Sequence, residues 1–140
     1  MDKKTEIKRL IAEYAVAGEL CWRDIYAQLT LCNHEGTDIL AETEKGAARI
    51  QVKGRWDKQW PHLKGPRGND TFLVLVDLKN KRGGDRPDFY VLTTAEWDKL
   101  FREQRQKQGC DDPDVETAMV LEHREQWVKI EQALGLGQRT

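Results

Sequence analysis

Cysteine and histidine are scarce in this sequence, and neither occurs in a spacing typical of a metal or disulfide site. The three cysteines, Cys21, Cys32 and Cys110, are odd in number, far apart and form no CxxC pair. They therefore indicate neither a disulfide framework nor a thiolate zinc site, and we expect buried free thiols. The three histidines likewise show no HxH or HExxH spacing.

Long apolar runs are also missing. No stretch approaches the roughly 18–20 apolar residues that a membrane-spanning helix needs, and the N-terminal MDKKTEIKRL lacks the apolar core of a signal peptide. We therefore expect a cytoplasmic protein with no membrane partner. A chain of 140 residues without a linker or low-complexity tract predicts one domain with its own core. No strand-to-helix turn has phosphate-loop glycines, so no motif indicates a nucleotide-binding fold.

Charge is abundant and nearly balanced overall, but it is unevenly distributed. The chain has 23 basic and 24 acidic residues, yet Glu44 to Arg86 contains eleven basic and only five acidic ones. A basic middle segment is what an anionic partner such as nucleic acid requires. A solvated polar face explains the same clustering equally well.

Hydrophobic periodicity and turn residues predict the element order α-β-β-β-β-β-α-α. The strands are expected at about 25–32, 38–43, 48–53, 71–78 and 88–93, the first three as an antiparallel meander. Thr93 and Glu96 form a capping box that opens the second helix, which GCDDPD ends. A last helix is expected from about Pro113 to Leu134.

The first helix is expected at about Thr5–Cys21, with one apolar stripe facing the core. That stripe comprises Ile7, Leu10, Ile11, Tyr14, Ala17, Gly18 and Cys21. Glu13 lies at its edge. Val16 and Leu20 fall outside the stripe, which leaves them for contact with a second copy of the chain.

Three polar residues fall on two adjoining strands of the predicted meander. Gln51 and Lys53 are two residues apart, so they project from the same side of their strand. If the turn after Glu42 makes a hairpin, Asp38 lies alongside them. An acidic oxygen, an amide oxygen and an ammonium are suited to hydrolysing a phosphodiester with a hard cation. The alternative is an ordinary solvated strand face.

This hairpin resembles the catalytic hairpin of the PD-(D/E)XK nuclease superfamily, in which an aspartate opens one strand and an (E/Q)xK triplet lies on the next. GTDILAETEKGAARIQVKG offers Asp38, Gln51 and Lys53 at those positions. Glu13 on the first helix, the apolar strand TFLVLVDL and the strand beginning PDFY also match, so the resemblance covers roughly residues 10–100. It implies a restriction-endonuclease-like α/β (α+β) fold, with a central mixed five-stranded sheet flanked by helices. The single nuclease domain would span residues 1–140, with a C-terminal helical extension from about residue 113.

The resemblance also implies roles for the site residues. Asp38 would be the principal ligand of Mg²⁺ (or Mn²⁺), Gln51 a second oxygen ligand, and Glu13 would ligate through water or position the metal shell. Lys53 would act on the nucleophilic water or the transition state. Two positions depart from the family pattern: Thr37 replaces a proline, and Gln51 supplies a neutral carbonyl oxygen where a carboxylate is usual.

A basic, tryptophan-containing loop follows the catalytic strand. Basic side chains neutralise phosphates and indoles stack on bases, so the loop predicts a nucleic-acid surface. The residues are Arg55, Trp56, Lys58, Trp60, Lys64 and Arg67. The alternative is that the tryptophans cover the sheet edge and the cations only solvate the loop.

Three functions remain open from the sequence. The leading one is a Mg²⁺-dependent endonuclease, a hydrolase acting on DNA and forming a homodimer. The second is a catalytically inactive nucleic-acid-binding module of the same fold. The third is a metabolic or scaffold protein with an unrelated α+β sheet.

Overall fold

A five-stranded mixed sheet flanked by helices forms the frame of the computed structural model, which describes residues 2–30, 37–60, 65–66 and 68–137. The predicted order α-β-β-β-β-β-α-α is confirmed. The elements are α1 Lys3–Trp22, β1 Tyr26–Leu29, β2 Ile39–Thr43, β3 Gly46–Arg55, β4 Thr71–Asp77, β5 Asp88–Thr93, α2 Thr94–Gln108 and α3 Val128–Ala133. Two 3₁₀ turns, Thr117–Met119 and Leu121–His123, precede α3. No helix of the described part is long and apolar enough to cross a membrane.

The strands lie in the order β1-β2-β3-β4-β5. β1, β2 and β3 form the predicted antiparallel meander, β4 runs parallel to β3, and β5 returns antiparallel to β4. Every residue of β4 is buried, as its continuous apolar sequence predicts for a strand covered on both faces.

The alternating side chains of β4 enter two separate cores. Val74 and Val76 point to the core formed with α1 and α3, whereas Leu73 and Leu75 point to the core formed with α2. Because successive residues of a strand face opposite ways, one apolar strand fixes helices on both sides of the sheet.

α1 packs with a different face from the one its periodicity predicts. The buried residues are Ala12, Glu13, Val16, Ala17 and Leu20. Ile7, Ile11 and Tyr14, which were expected in the core, are 51%, 43% and 63% exposed. Only Ala17 of the predicted stripe is buried, because α1 approaches the sheet closely: a Cβ added at Gly54 would lie 3.1 Å from the Ala12 Cβ. Val16 and Leu20, which were expected to contact a second copy, are fully buried within the chain. Cys21 and Cys110 are also exposed, contrary to the expectation of buried thiols, and Cys32 lies outside the described residues.

α2 begins and ends where its sequence signals indicate. The Thr93 hydroxyl accepts from the Glu96 N–H, and the Glu96 carboxylate accepts from the Thr93 N–H, which confirms the capping box. At the other end Gly109 adopts φ 67°, a left-handed conformation that glycine reaches without steric cost.

The long last helix predicted from Pro113 to Leu134 does not form. Backbone bonds hold this segment to other parts of the chain: the Val115 N–H donates to the Trp60 carbonyl in the loop after β3, and the Glu125 N–H donates to the Phe89 carbonyl in β5. In a continuous helix these N–H groups would instead donate to carbonyls one turn earlier in the same helix. Only α3 at the end of the segment remains α-helical.

The packing of α1 leads to a stability prediction. Leu20→Ala is expected to lower the free energy of unfolding by about 2–5 kcal/mol, because it removes a fully buried side chain and leaves a cavity. Leu40→Ala is the matched control, since Leu40 is 49% exposed and the same atoms are removed. Urea denaturation measures both. Equal losses would contradict the observed orientation of α1.

Candidate active site

Asp38 stands directly before β2 and is fixed by both neighbouring strands. Its N–H donates to the Ile50 carbonyl at 2.9 Å, and its carbonyl accepts from the Thr30 N–H at 2.9 Å. Its carboxylate Oδ2 also accepts from the Val52 N–H at 2.7 Å. The side chain therefore lies across β3, next to the predicted Gln51–Lys53 segment.

An opening in the sheet explains this position. β2 pairs with β3 only from Ile39 opposite Ile50 to Thr43 opposite Gly46, so the later half of β3 has no β2 neighbour. The Asp38 carboxylate takes up the Val52 N–H where the two strands part. The hairpin thus presents a carboxylate at the point where the sheet opens.

Gln51 and Lys53 share one side of β3. They alternate with Ile50 and Val52, which belong to the core beneath α1, so their side chains project to the opposite face. Gln51 is buried and Lys53 is half-buried. The Lys53 carbonyl accepts from the Trp60 indole N–H at 3.1 Å, which fixes the backbone of the strand at this residue.

Glu13 lies on the buried side of α1, the helix that packs against Ile50 and Val52. It is 1% exposed, and its Oε2 accepts from Arg9 Nη1 at 2.7 Å. Burial raises the pKa of Glu13 above its ordinary value, and the negative charge of Asp38 raises it further. The positive charges of Arg9 and Lys53 act in the opposite direction. That Glu13, Asp38, Gln51 and Lys53 form one site stays a prediction.

The donor set is small but suits a hard cation. Within the described residues, no group of three or more His, Cys, Asp or Glu side chains could hold a metal ion. Glu13 and Asp38 are two carboxylates, and Gln51 adds a neutral amide oxygen. Mg²⁺ commonly binds through one or two carboxylates, with waters and substrate phosphate completing its shell.

Two residues predicted to contact nucleic acid lie instead in the interior. Trp60 is fully buried, with its ring edge against Tyr90 at 6.0 Å between centroids. Arg55 is 9% exposed and pairs with Asp77, whose Oδ2 lies 2.5 Å from Nη2. Its guanidinium stacks 4.8 Å from the Trp60 ring centroid and donates to the Thr117 hydroxyl. Both hold the C-terminal segment to the sheet, so neither offers a surface to a base or phosphate.

The rest of the predicted nucleic-acid loop divides in two. Lys58 is exposed and Trp56 is half-buried, with Lys8 Nζ 5.4 Å from its ring centroid. Lys64 and Arg67 lie outside the described residues. The exposed part of this surface is therefore formed by residues of the loop after β3 and of the N-terminal half of α1.

Lys8 and Arg9 were not found by sequence reasoning. A usable signal existed for Arg9, because it precedes Glu13 by four residues and so lies on the same helix face. No comparable signal existed for Lys8, whose contact with Trp56 is tertiary.

Comparison with solved structures finds the same fold in a bacterial homing endonuclease, I-Ssp6803I. The TM-score is 0.62 at 17% sequence identity, and the match covers 97% of this chain and 99% of the other. No protein-family model and no curated protein sequence matches the chain. Because the match includes nearly all of both chains, the shared feature is the whole nuclease-like fold.

The electrostatics of Glu13 predict a pH-dependent stability. Its folded-state pKa is raised, so the stabilising contribution of the neutral form is present at low pH and is lost as pH rises through that pKa. Glu13→Gln should therefore be more stable than the wild type at neutral pH, with a difference that shrinks on acidification. Thermal melts in metal-free buffer from pH 4 to 8 measure this, and Glu6→Gln on the exposed side of α1 is the control. Parallel curves for the wild type and Glu13→Gln would contradict the prediction.

The interior position of Arg55 predicts a large effect on stability. Arg55→Ala is expected to lower the free energy of unfolding by about 3–5 kcal/mol, because it leaves the buried Asp77 carboxylate without its cation. Lys58→Ala removes an exposed cation from the same loop and should change stability by less than about 0.5 kcal/mol. Urea denaturation compares the two. Similar small losses of stability in both variants would contradict a buried, stabilising Arg55–Asp77 pair.

Proposed function

We propose that this protein is a metal-dependent endonuclease of the PD-(D/E)XK type that hydrolyses phosphodiester bonds in DNA. The observation that carries the proposal is the position of the Asp38 carboxylate, which accepts from the Val52 N–H and so lies beside Gln51 and Lys53 where β2 and β3 separate. The fold also supports the proposal, since a homing endonuclease adopts the same fold.

Asp38, Gln51 and Glu13 would hold Mg²⁺ or Mn²⁺. Bound there, the cation would lower the pKa of a water and neutralise charge on the phosphate. The chain's own contribution is to keep the two carboxylates in place, one by the Val52 N–H and the other by Arg9. Gln51 contributes an oxygen without a further negative charge.

Lys53 supplies positive charge beside these acids. Its ammonium would stabilise the charge that develops on the phosphate in the transition state, and orient the attacking water. Partial burial strengthens this interaction, because a half-buried ammonium is screened less by solvent than an exposed one.

DNA would approach over the surface formed by Lys8, Trp56 and Lys58, with Lys64 and Arg67 as further proposed contacts. Lysines neutralise backbone phosphates, and the accessible part of the Trp56 indole offers a stacking surface. The partners in this proposal are DNA and a second copy of the chain.

A second candidate function is a binding module without catalysis. The specific observation in its favour is Gln51, which leaves the site with one carboxylate fewer than the usual pair. In this alternative the basic surface would bind nucleic acid, and the acids of the site would have no catalytic role.

A cleavage assay tests the two functions. Purified protein is incubated with single-stranded, duplex and branched DNA in the presence of Mg²⁺ or Mn²⁺. Asp38→Asn and Lys53→Ala should each reduce the cleavage rate by roughly 100-fold or more, because each removes a charge that acts in the transition state. Asp57→Asn, an exposed acid in the following loop, is the matched control and should cleave normally.

Binding measurements on the same variants separate the remaining outcomes. Mn²⁺ binding by calorimetry should be lost in Asp38→Asn, whereas salt-dependent DNA binding should persist. A wild type that binds DNA but cleaves none of the three substrates would support the binding module. A wild type with no salt-sensitive affinity for any nucleic acid would overturn both functions.

A further inference from the structure

The turn between β4 and β5 is strongly basic. Residues 79–86 read KNKRGGDR, with four basic side chains and one acidic one. All eight residues except Lys81 are exposed. We call residues 79–86 the basic turn. Glycine and small polar residues are enough to connect two strands without such charge, so the contacts of each basic residue decide its role.

Two of the four basic residues hold the turn to the rest of the chain. Arg86 donates to a Glu19 carboxylate oxygen at 2.9 Å and to both carboxylate oxygens of Glu125, at 2.5 Å and 3.0 Å. Lys81 Nζ lies 3.8 Å from a carboxylate oxygen of Asp88. The charges of these two residues are therefore used within the chain, where they fix the position of the turn.

Lys79 and Arg82 are different. Both are exposed, and within the part of the chain that the structure describes neither side chain forms an ion pair or a hydrogen bond. Asp85, the one acid of the turn, accepts instead from the Arg82 backbone N–H at 2.9 Å. This bond holds the backbone of Arg82 in place. The two side chains are thus available to an anionic partner.

The two glycines of the basic turn leave its backbone accessible. A Cβ added at Gly83 or at Gly84 would meet nothing within 4 Å. Gly84 has φ 92°, a conformation that glycine adopts without steric cost. Because no side chain covers the chain here, a ligand can approach the backbone closely between the two free cations.

The basic turn adjoins the surface already proposed for DNA. The N–H of Leu78, the residue before the turn, donates to the Arg55 carbonyl at 2.9 Å. A Cβ added at Gly54 would lie 3.6 Å from Leu78 Cδ1 and 4.0 Å from Trp56 Nε1, so the base of the turn lies near the indole. Lys8 Nζ is 5.4 Å from the centroid of the same ring. The turn, the loop after β3 and the start of α1 therefore form one continuous surface.

We propose that Lys79 and Arg82 bind the phosphate backbone of DNA beside the candidate active site. This inference rests on the nucleic-acid partner of the proposed function, but not on cleavage. Charge and extent favour DNA as the occupant, because a chain of regularly spaced phosphates meets several separate cations of one surface at once, whereas a small anion meets one. The exposed basic residues of this surface outnumber its exposed acids: they are Lys8, Lys58, Lys79 and Arg82, against Asp57 and Asp85.

Strand geometry gives the approximate position of this contact on the DNA. Lys53 and Arg55 are two residues apart on β3, which is roughly 6.6 Å. Leu78 is hydrogen-bonded to Arg55, and Lys79 follows it, so the turn begins within roughly 15 Å of the Lys53 backbone. Phosphates of one strand are about 3.4 Å apart along the duplex axis. The turn would therefore contact phosphates a few nucleotides from the cleaved bond.

DNA binding by a double variant tests the contact. Fluorescence anisotropy with a labelled duplex, without divalent metal, is measured over a range of salt concentrations. Lys79→Ala combined with Arg82→Ala should weaken binding about tenfold or more near 0.1 M salt, and should reduce the slope of log K against log salt by about two. The matched control combines Lys99→Ala with Arg102→Ala, which removes an exposed lysine and an exposed arginine at the same spacing from α2 and should change neither value. Thermal melts check that both variants are folded.

The outcomes separate this inference from the proposed function. Full salt-sensitive binding by the turn variant, or equal losses in the two variants, would overturn the contact and leave the nuclease proposal standing. A specific loss in the turn variant, from a wild type that cleaves nothing, would support the contact and count against catalysis. A wild type without affinity for DNA would overturn both.

Site-specific cross-linking tests proximity, which a general effect of charge does not require. In a background with the three native cysteines replaced by serine, Arg82→Cys carries a photoactivatable cross-linker and should form a covalent adduct with the duplex on illumination. Arg102→Cys with the same cross-linker is the control and should form little adduct. Equal yields at the two positions would overturn the proposed contact.

Discussion

The parallel pairing of β3 with β4 is the constraint on which the rest of this structure depends. β4 is apolar on both faces, so it must be covered from both sides, and α1 and α2 pack on opposite faces of the sheet. The later half of β3 pairs with β4 and no longer pairs with β2. The separation of β2 from β3 creates the opening in which the Asp38 carboxylate accepts from the Val52 N–H. The candidate site is thus a consequence of how the core is built.

The charges at that opening are balanced in the absence of any ligand. Glu13 and Asp38 are two acidic groups, and Arg9 and Lys53 are two basic ones. Arg9 lies 2.7 Å from Glu13, and its positive charge opposes the effects of burial and of Asp38 on the Glu13 pKa. In the proposed function, the neutral amide of Gln51 would attract a cation less strongly than a third carboxylate would. A phosphodiester would then add negative charge, so cation and substrate would favour each other's binding.

Much of the fold could be predicted because its signals are local. The buried β4, the meander and the capping box at Thr93 each follow from a few neighbouring residues, and so does the placing of Asp38 beside Gln51 and Lys53 on one hairpin.

The predictions that failed concern features that depend on tertiary contacts. The exposed face of α1 resembles a core face in the sequence, because isoleucine and tyrosine are larger than the alanines that pack against the sheet. Trp60 and Arg55 look like a nucleic-acid surface until Asp77 and the C-terminal segment are brought against them. The predicted long last helix does not form for the same reason, since N–H groups of its segment donate to the distant Trp60 and Phe89 carbonyls.

α1 shows why helical periodicity alone could not assign its faces. One side supplies Ala12, Val16 and Leu20 to the core, and the opposite side carries the exposed Ile7, Ile11 and Tyr14. Two apolar faces on one helix give a weak amphipathic pattern, and the larger side chains belong to the face that does not pack within the chain. Lys3, Lys4 and Lys8 near its start exclude complete burial, because lysines at this density are not removed from water without partners. Periodicity therefore detects both apolar faces of α1, and only its contacts with the sheet decide which of them is buried.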